Sequence, residues 1–269
     1  MLLLASALLT AYLGDFVLES GKVLKDLTIG YRTYGTLNAD GSNVILFPTW
    51  FNGKTDGVKS YVFNKHPLVD QTKYFVIAVD AIGNGVSTSP SNSATQKGKN
   101  FPRITIADMV RSQHLLLTKH LNVNQLHAVV GISMGGMQAF EWMGQYRTFM
   151  KKGISIVGTP HMTGADMALW MEMATSKVGG GGKRSSGGMQ QTILNGILEA
   201  LGARGGGGSS IPAPDNAFYQ FNAMATDNVT RLFGNSLEVT AKGIRAETMI
   251  FVADAGRLCR TTSHCGLRS

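Results

Sequence analysis

Gly131-Ile132-Ser133-Met134-Gly135 constrains this chain more than any other stretch. An apolar run, Leu126-His127-Ala128-Val129-Val130, precedes it. A helix-like run, Met137-Gln138-Ala139-Phe140-Glu141-Trp142-Met143, follows. That order reads as strand, sharp turn, helix, the setting in which G-x-S-x-G forms a nucleophile elbow. So tight a turn leaves no room for bulky side chains two residues to either side of the serine, hence the glycines. Ser133 is expected to project its hydroxyl from the sheet edge, with the N-terminus of the following helix aimed at the reacting carbon. An ordinary Gly-rich strand-to-helix turn is the alternative reading of the same five residues.

The rest of the pattern gives the elbow a sheet to sit on. Val44-Ile45-Leu46-Phe47, Tyr74 to Val79, the run before Ser133, Ile154 to Val157 and Thr248 to Ala253 read as short apolar strands. Thr105 to His120 reads as a helix, with Ile106, Met109, Val110, Gln113 and Leu117 on one face and Arg103, Asp108, Arg111 and Lys119 toward solvent. All-apolar strands alternating with helices predict an α/β fold: a mostly parallel sheet with helices on both faces. Phe16 to Leu24 and Leu27 to Gly35 add an antiparallel pair at one edge. In such sheets, chemistry sits beyond the carboxyl ends of the strands. Ser133 and the loops after Phe47 and Val79 all fall there.

The strand-helix rhythm breaks between about Pro160 and Ala241. Met167 to Met173 and Ala217 to Met224 read as helices, so an inserted helical lid is expected, able to shape a pocket and exclude water. Gly179-Gly180-Gly181-Gly182 and Gly205-Gly206-Gly207-Gly208-Ser209-Ser210 read as flexible linkers around a short amphipathic helix, Met189 to Leu201. Four segments result: an apolar N-terminal segment 1–14, the first part of the core 15–160, the lid 161–241, and the last core strand with an irregular tail 242–269. Residues 1–13 resemble the apolar part of an export signal but lack a preceding Lys or Arg. A signal remnant and a buried N-terminal segment are both compatible with them, and a cytoplasmic location is the first expectation.

Composition narrows the classes. With 269 residues, 43% hydrophobic and 16% charged, the chain suits one large globular domain. Its net charge of +8 is scattered, with no long basic run interleaved with aromatics, which argues against nucleic-acid binding. The surplus modestly favours an anionic substrate, although solvated surface charge explains it equally. No segment is apolar and long enough to read as transmembrane. Cys259 and Cys265 lie too close to the end to organise the fold. No spacing of His, Cys and carboxylates suggests a metal site. Gly83-Asn84-Gly85 lacks the remaining glycine of a dinucleotide fingerprint.

Three motifs converge on one family. Phe101 to Gln113 (FPRITIADMVRSQ) resembles the F-P-x-x-T-[IV]-x-D-x-V-x-x-Q segment of homoserine O-acetyltransferases. Gly131 to Trp142 (GISMGGMQAFEW) resembles their G-x-S-M-G-G-M-Q-x-x-E-W. Tyr31 to Asn38 (YRTYGTLN) is similar to their Y-x-T-x-G-x-x-N strand. The resemblance runs from about residue 15 to 175 and, more weakly, from 215 to 253. It implies an α/β-hydrolase fold with a helical lid, no bound cofactor, small-molecule substrates, and often a homodimer built through the lid. It also implies ping-pong acyl transfer: Ser133 takes an acyl group from acetyl-CoA and passes it to a hydroxyl such as homoserine's. A histidine must accept the serine proton and an acidic residue must orient it. The oxyanion needs two backbone N–H groups: Met134, directly after the nucleophile, and a residue of Thr49 to Gly53, with Phe51 first and Trp50 next.

The resemblance places the acid after the strand ending near Ala253 and the histidine about thirty residues further, after another strand and helix. Asp254 and His264 are the candidates, although the family's Asp sits nearer Gly256 and His264 follows Asp254 by only ten positions. His161, after Val157-Gly158-Thr159-Pro160, falls at the carboxyl edge and reads as a lid residue. His114 and His120 read as helix residues, His127 as the wrong end of a strand, and His66 as a loop residue. An esterase of the same fold, with water as acceptor, and an inactive copy with a damaged C-terminus are the alternative functions.

Overall fold

Val44-Ile45-Leu46-Phe47 places Val44 and Leu46 on one face of a strand and Ile45 and Phe47 on the other, and all four are buried. Ile77 and Val79 join the first pair, and Val76 and Ala78 the second. A strand with no polar face must be covered on both sides. The computed structural model describes residues 7–62, 67–164, 214–254 and 257–262, and shows that cover. Its eight strands are β1 (Leu9–Val17), β2 (Val23–Tyr34), β3 (Val44–Pro48), β4 (Phe75–Val79), β5 (Leu126–Ile132), β6 (Met150–Ile156), β7 (Glu247–Asp254) and β8 (Arg257–Thr262). They form one sheet in the order β1-β2-β4-β3-β5-β6-β7-β8. Strands β3 to β7 run parallel, while β1, β2 and β8 are antiparallel to their neighbours.

Helix α1 (Thr55–Val62) puts Val58 and Tyr61 into the core on one face of the sheet. Helices α2 (Ile106–Leu115) and α3 (Met134–Gln145) cover the other. The expected apolar stripe of α2 is buried, Gln113 included. Asp108 is buried as well, against the expectation that it faces solvent. It closes a capping box with Thr105, and its Oδ1 accepts from Glu19 N at 2.7 Å and Arg111 Nη1 at 3.2 Å. Capping, rather than solvation, explains an acid at that position. Burial is the main cause that raises its pKa.

The first hairpin also turns earlier than the sequence suggests. Gly21 adopts φ +80°, and Gly21 N donates to Leu18 O at 2.9 Å, so β1 ends at Val17 and β2 begins at Val23. Leu9 to Gly14, within the apolar N-terminal segment, are already paired with β2. After β7 the tail forms β8, a strand that its sequence did not announce. Helix α4 (Pro214–Ala225) contains the expected helix 217–224, and α5 (Leu237–Gly243) leads into β7. The helices expected at 167–173 and 189–201, both glycine runs, His66, His264 and Cys265 lie outside the described residues. No helix among the described residues is long and apolar enough to cross a membrane.

Beneath α3 lies a charged cluster. Glu141 is fully buried and receives Arg231 Nη2 at 2.6 Å and Nη1 at 3.0 Å, and Arg231 also reaches Glu19 at 3.2 Å. Asp227 is buried beside them, and its Oδ2 has no hydrogen-bond partner. Burial first, then the Glu141 charge, holds its carboxyl well above the usual range. Above the ordinary carboxylate pKa the folded chain therefore keeps a proton that the unfolded chain releases, so this group's contribution to stability declines as pH rises through that window. Asp227→Asn has no such titration. Its stability relative to wild type is expected to grow as pH rises from about 4 toward neutrality, by at most about 1.4 kcal/mol per pH unit. Urea unfolding of both proteins across that range checks it, and parallel curves would refute it.

Candidate active site

The chain leaves β5 at Ile132 and enters α3 at Met134, so Ser133 alone makes the turn. It adopts φ 55° and ψ −121°, a conformation costing on the order of 1–3 kcal/mol for a residue with a Cβ. Ser133 N donates to Ile156 O at 2.8 Å, tying the turn to the end of β6. The flanking glycines are steric necessities. A Cβ on Gly131 would lie 1.9 Å from Gly135 O, and one on Gly135 would lie 2.7 Å from Pro48 O. One on Gly136 would lie 2.8 Å from Ser155 Oγ and 3.0 Å from Gly158 Cα. Ser133 is partly exposed, and its hydroxyl makes no hydrogen bond among the described residues. Met134 is the first helical residue, so its N–H has no partner in the helix ladder.

The loop after β3 approaches the same point, and each of its peptides is held. Thr49 N donates to Val79 O at 3.1 Å. Thr49 O accepts from Gln138 Nε2 at 3.0 Å. Trp50 O accepts from Gly53 N at 2.8 Å. Asn52 N donates to Gln220 Oε1, from α4, at 2.9 Å. The N–H groups of Trp50 and Phe51, the two donors singled out from sequence, make no hydrogen bond among the described residues. Asn52, at φ 55°, turns the chain after them. Farther along, buried Asp80 accepts from Thr55 N at 3.0 Å, Thr55 Oγ1 at 2.7 Å and Asn84 Nδ2 at 2.7 Å, joining the loops after β3 and β4. Burial raises its pKa, against these hydrogen bonds.

The acid and base candidates are placed less completely. Asp254 ends β7 at the carboxyl edge, three residues beyond Phe251, which pairs with Ile156 beside the elbow. From there β8 runs back, and at Thr262 the chain is level with Met249, away from that edge. His161 follows β6 on the elbow side, bridged to Asn228, with its Nδ1 buried and unpartnered. His114 stacks on Tyr146 at 3.9 Å, and His127 packs on Tyr74 at 4.9 Å at the far end of β5. Burial lowers the pKa of both, and both are packing residues. Sequence reading did not identify Gln138, Gln113 and Gln220 as determinants of the loop. The signal for Gln113 was a polar residue on an apolar helix face, which must find a partner when buried.

Because the Gly131 position is closed by backbone, no rotamer change can relieve a larger residue there. Gly131→Ala is expected to displace the elbow and abolish labelling of Ser133 by a fluorophosphonate. Mass spectrometry of the labelled protein checks this, and wild-type labelling of the variant would contradict it.

Residues 43–183 match the α/β hydrolase fold family. A probable esterase of Corynebacterium glutamicum is 40% identical over 160 residues, covering 58% of this chain and 46% of that protein. An ethyl acetate hydrolase of Pseudomonas veronii is 38% identical over 148 residues, 55% of this chain and 42% of that protein. A homoserine O-acetyltransferase of Geotalea daltonii is 38% identical over 172 residues, 58% of this chain and 47% of that protein. The chain thus matches under half the length of each. Among solved structures, an acetylester hydrolase from Corynebacterium glutamicum superposes with TM-score 0.77 at 27% identity, over 91% of this chain and 79% of that one. The homoserine O-acetyltransferase of Bacillus anthracis, at TM-score 0.71 and 21% identity over 92% and 83% of the two chains, shares the fold. A family match across more than half of the chain makes this chain a member of the α/β-hydrolase fold family.

Proposed function

We propose that the chain transfers a short acyl group, acetyl foremost, through an ester on Ser133. The observation that carries this is the strained, partly exposed Ser133 beside three unpartnered backbone N–H groups, those of Met134, Phe51 and Trp50. Ser133 Oγ attacks the carbonyl carbon of an ester or thioester while a histidine takes its proton, because the alcohol is a weak nucleophile at neutral pH. His264, oriented by Asp254, is the proposed base. The carbonyl oxygen, now negative, is received by Met134 N–H and Phe51 N–H, with Trp50 N–H adjacent. Collapse expels the thiol or alcohol, which recovers the proton, and leaves the acyl-enzyme. An incoming hydroxyl then repeats the steps in reverse order, and release of the new ester restores Ser133. The relatives named for acetyl esters and for homoserine acetylation support acetyl as the group carried. Acetyl-CoA is the proposed donor and a homoserine-like alcohol the proposed acceptor, with 161–241, α4 included, as the lid that limits water.

Hydrolysis is the second reading, favoured by the 40% and 38% identity to esterases. Incubation with acetyl-CoA, with and without L-homoserine, separates the two: an O-acetylated amino acid supports transfer, and acetate in both arms supports hydrolysis. A fluorophosphonate that labels wild type no faster than Ser133→Ala would sink both.

The base assignment has its own test. His264→Ala is expected to slow acylation by p-nitrophenyl acetate about a hundredfold or more, while His161→Ala changes it little. The reverse ranking, read by stopped-flow absorbance, would move the base to His161.

A further inference from the structure

We infer that Gln138 is a positioning residue for the oxyanion loop, the last member of a buried polar chain that starts at Trp142, an inference that rests on the acyl-enzyme reading of Ser133. Trp142 Nε1 donates to Gln113 Oε1 at 2.8 Å. Gln113 Nε2 donates to Gln138 Oε1 at 2.5 Å. Gln138 Nε2 donates to Thr49 O at 3.0 Å and to Met134 O at 3.2 Å. All three side chains are buried in the core between α2, α3 and the sheet.

The two ends fix the direction of the chain. An indole N–H can only donate, and a backbone carbonyl can only accept. Gln113 must therefore turn its oxygen to Trp142 and its amide nitrogen to Gln138. Gln138 must then present its own nitrogen to Thr49. Neither amide can flip without leaving two buried groups unpaired.

The consequence appears on the other side of the peptide plane. In a trans peptide the C=O and N–H point in opposite directions. Holding Thr49 O toward α3 aims Trp50 N–H away from α3 and sets the next peptide, which carries Phe51 N–H. Gln138 also bonds the carbonyl of Met134 in the first turn of α3, one peptide beyond the Met134 N–H, the third proposed donor. One carboxamide thus connects both halves of the oxyanion site. Burying two amides here costs free energy that an apolar pair would avoid, so packing alone does not account for them.

Gln138→Glu tests the inference, because its donor can be switched by pH. A neutral glutamic acid can still accept from Gln113 and donate its O–H to Thr49 O. Once ionised it can only accept, and it faces two carbonyls. The expected result, read well below the melting temperature, is an acylation rate close to wild type at low pH that falls about tenfold to a hundredfold below wild type as pH rises, with KM little changed and a melting temperature that declines with pH as the buried carboxyl ionises. Dividing by the wild-type rate at each pH removes the titration of the base. Trp142→Phe, which keeps a ring and removes the donor, is expected to lower kcat several-fold at constant KM, and it decides the matter if the Glu variant does not fold. Folded variants with wild-type rates at every pH would overturn the inference while leaving the acyl-enzyme intact. Failure of wild-type Ser133 to label would overturn both.

Discussion

The structure turns on backbone packed directly against backbone at the carboxyl end of the sheet. Gly131 faces the carbonyl of Gly135, Gly135 faces that of Pro48, and Gly136 faces Gly158, each at a distance that excludes a Cβ. These contacts bring the ends of β3, β5 and β6 around the first turn of α3. Side chains between them would push the elements apart by several ångströms, and the turn at Ser133 would relax. The positive φ of Ser133 persists because its neighbours leave it no other course: its N–H is held by β6 and its carbonyl caps Met137 N.

Around that nucleus, electrostatics is arranged by restraint more than by charge. The chemistry proposed at the elbow depends on N–H dipoles that point correctly before the reaction begins. Three elements supply the restraint: β4 through Val79 O, α3 through Gln138 and α4 through Gln220. A donor already fixed in place needs no reorganisation when negative charge develops, which is why such sites outperform water of equal polarity. The buried ion pair of Glu141 and Arg231 is instead kept behind α3, with Asp227 beside it holding its proton.

Much of this was legible in the sequence, for identifiable reasons. Apolar runs as short and β-branched as Val44 to Phe47, set between turn residues, read as central strands, and glycines around Ser133 have few uses besides a sharp turn. Local reasoning failed where a residue's role depends on a distant partner. Asp108 carries a helix-surface pattern, yet it caps α2 and holds Glu19. Gln138 and Thr49 are 89 positions apart, and Asn52 and Gln220 are 168 apart, so no window along the chain contains either pair. The hairpin turn was misplaced because Leu18 to Lys22 sits among strand-like residues, and only the left-handed Gly21 betrays it. β8 has no apolar alternation to announce it: its pairing with β7 makes Arg257 to Thr262 a strand.

The choice between water and a hydroxyl as acyl acceptor cannot lie in the elbow, since the esterase and acetyltransferase relatives both align across it. Water is small and abundant, so an enzyme that transfers must exclude it over the acyl-enzyme and hold the alcohol in its place. That work falls to whatever covers the carboxyl edge. Among the described residues α4 crosses it, but three of its polar side chains are already engaged. Asn216 binds Ser91, Tyr219 donates to Phe101 O, and Gln220 bridges Asn52 N and Ile82 O. These residues anchor α4 to the loops, Gln220 at the loop proposed to receive the oxyanion, which leaves them no free group with which to recognise an acceptor. Selection of the acceptor therefore depends on side chains other than these three, and grafting α4 alone from an esterase or an acetyltransferase would change the stability of the loop before it changed the product.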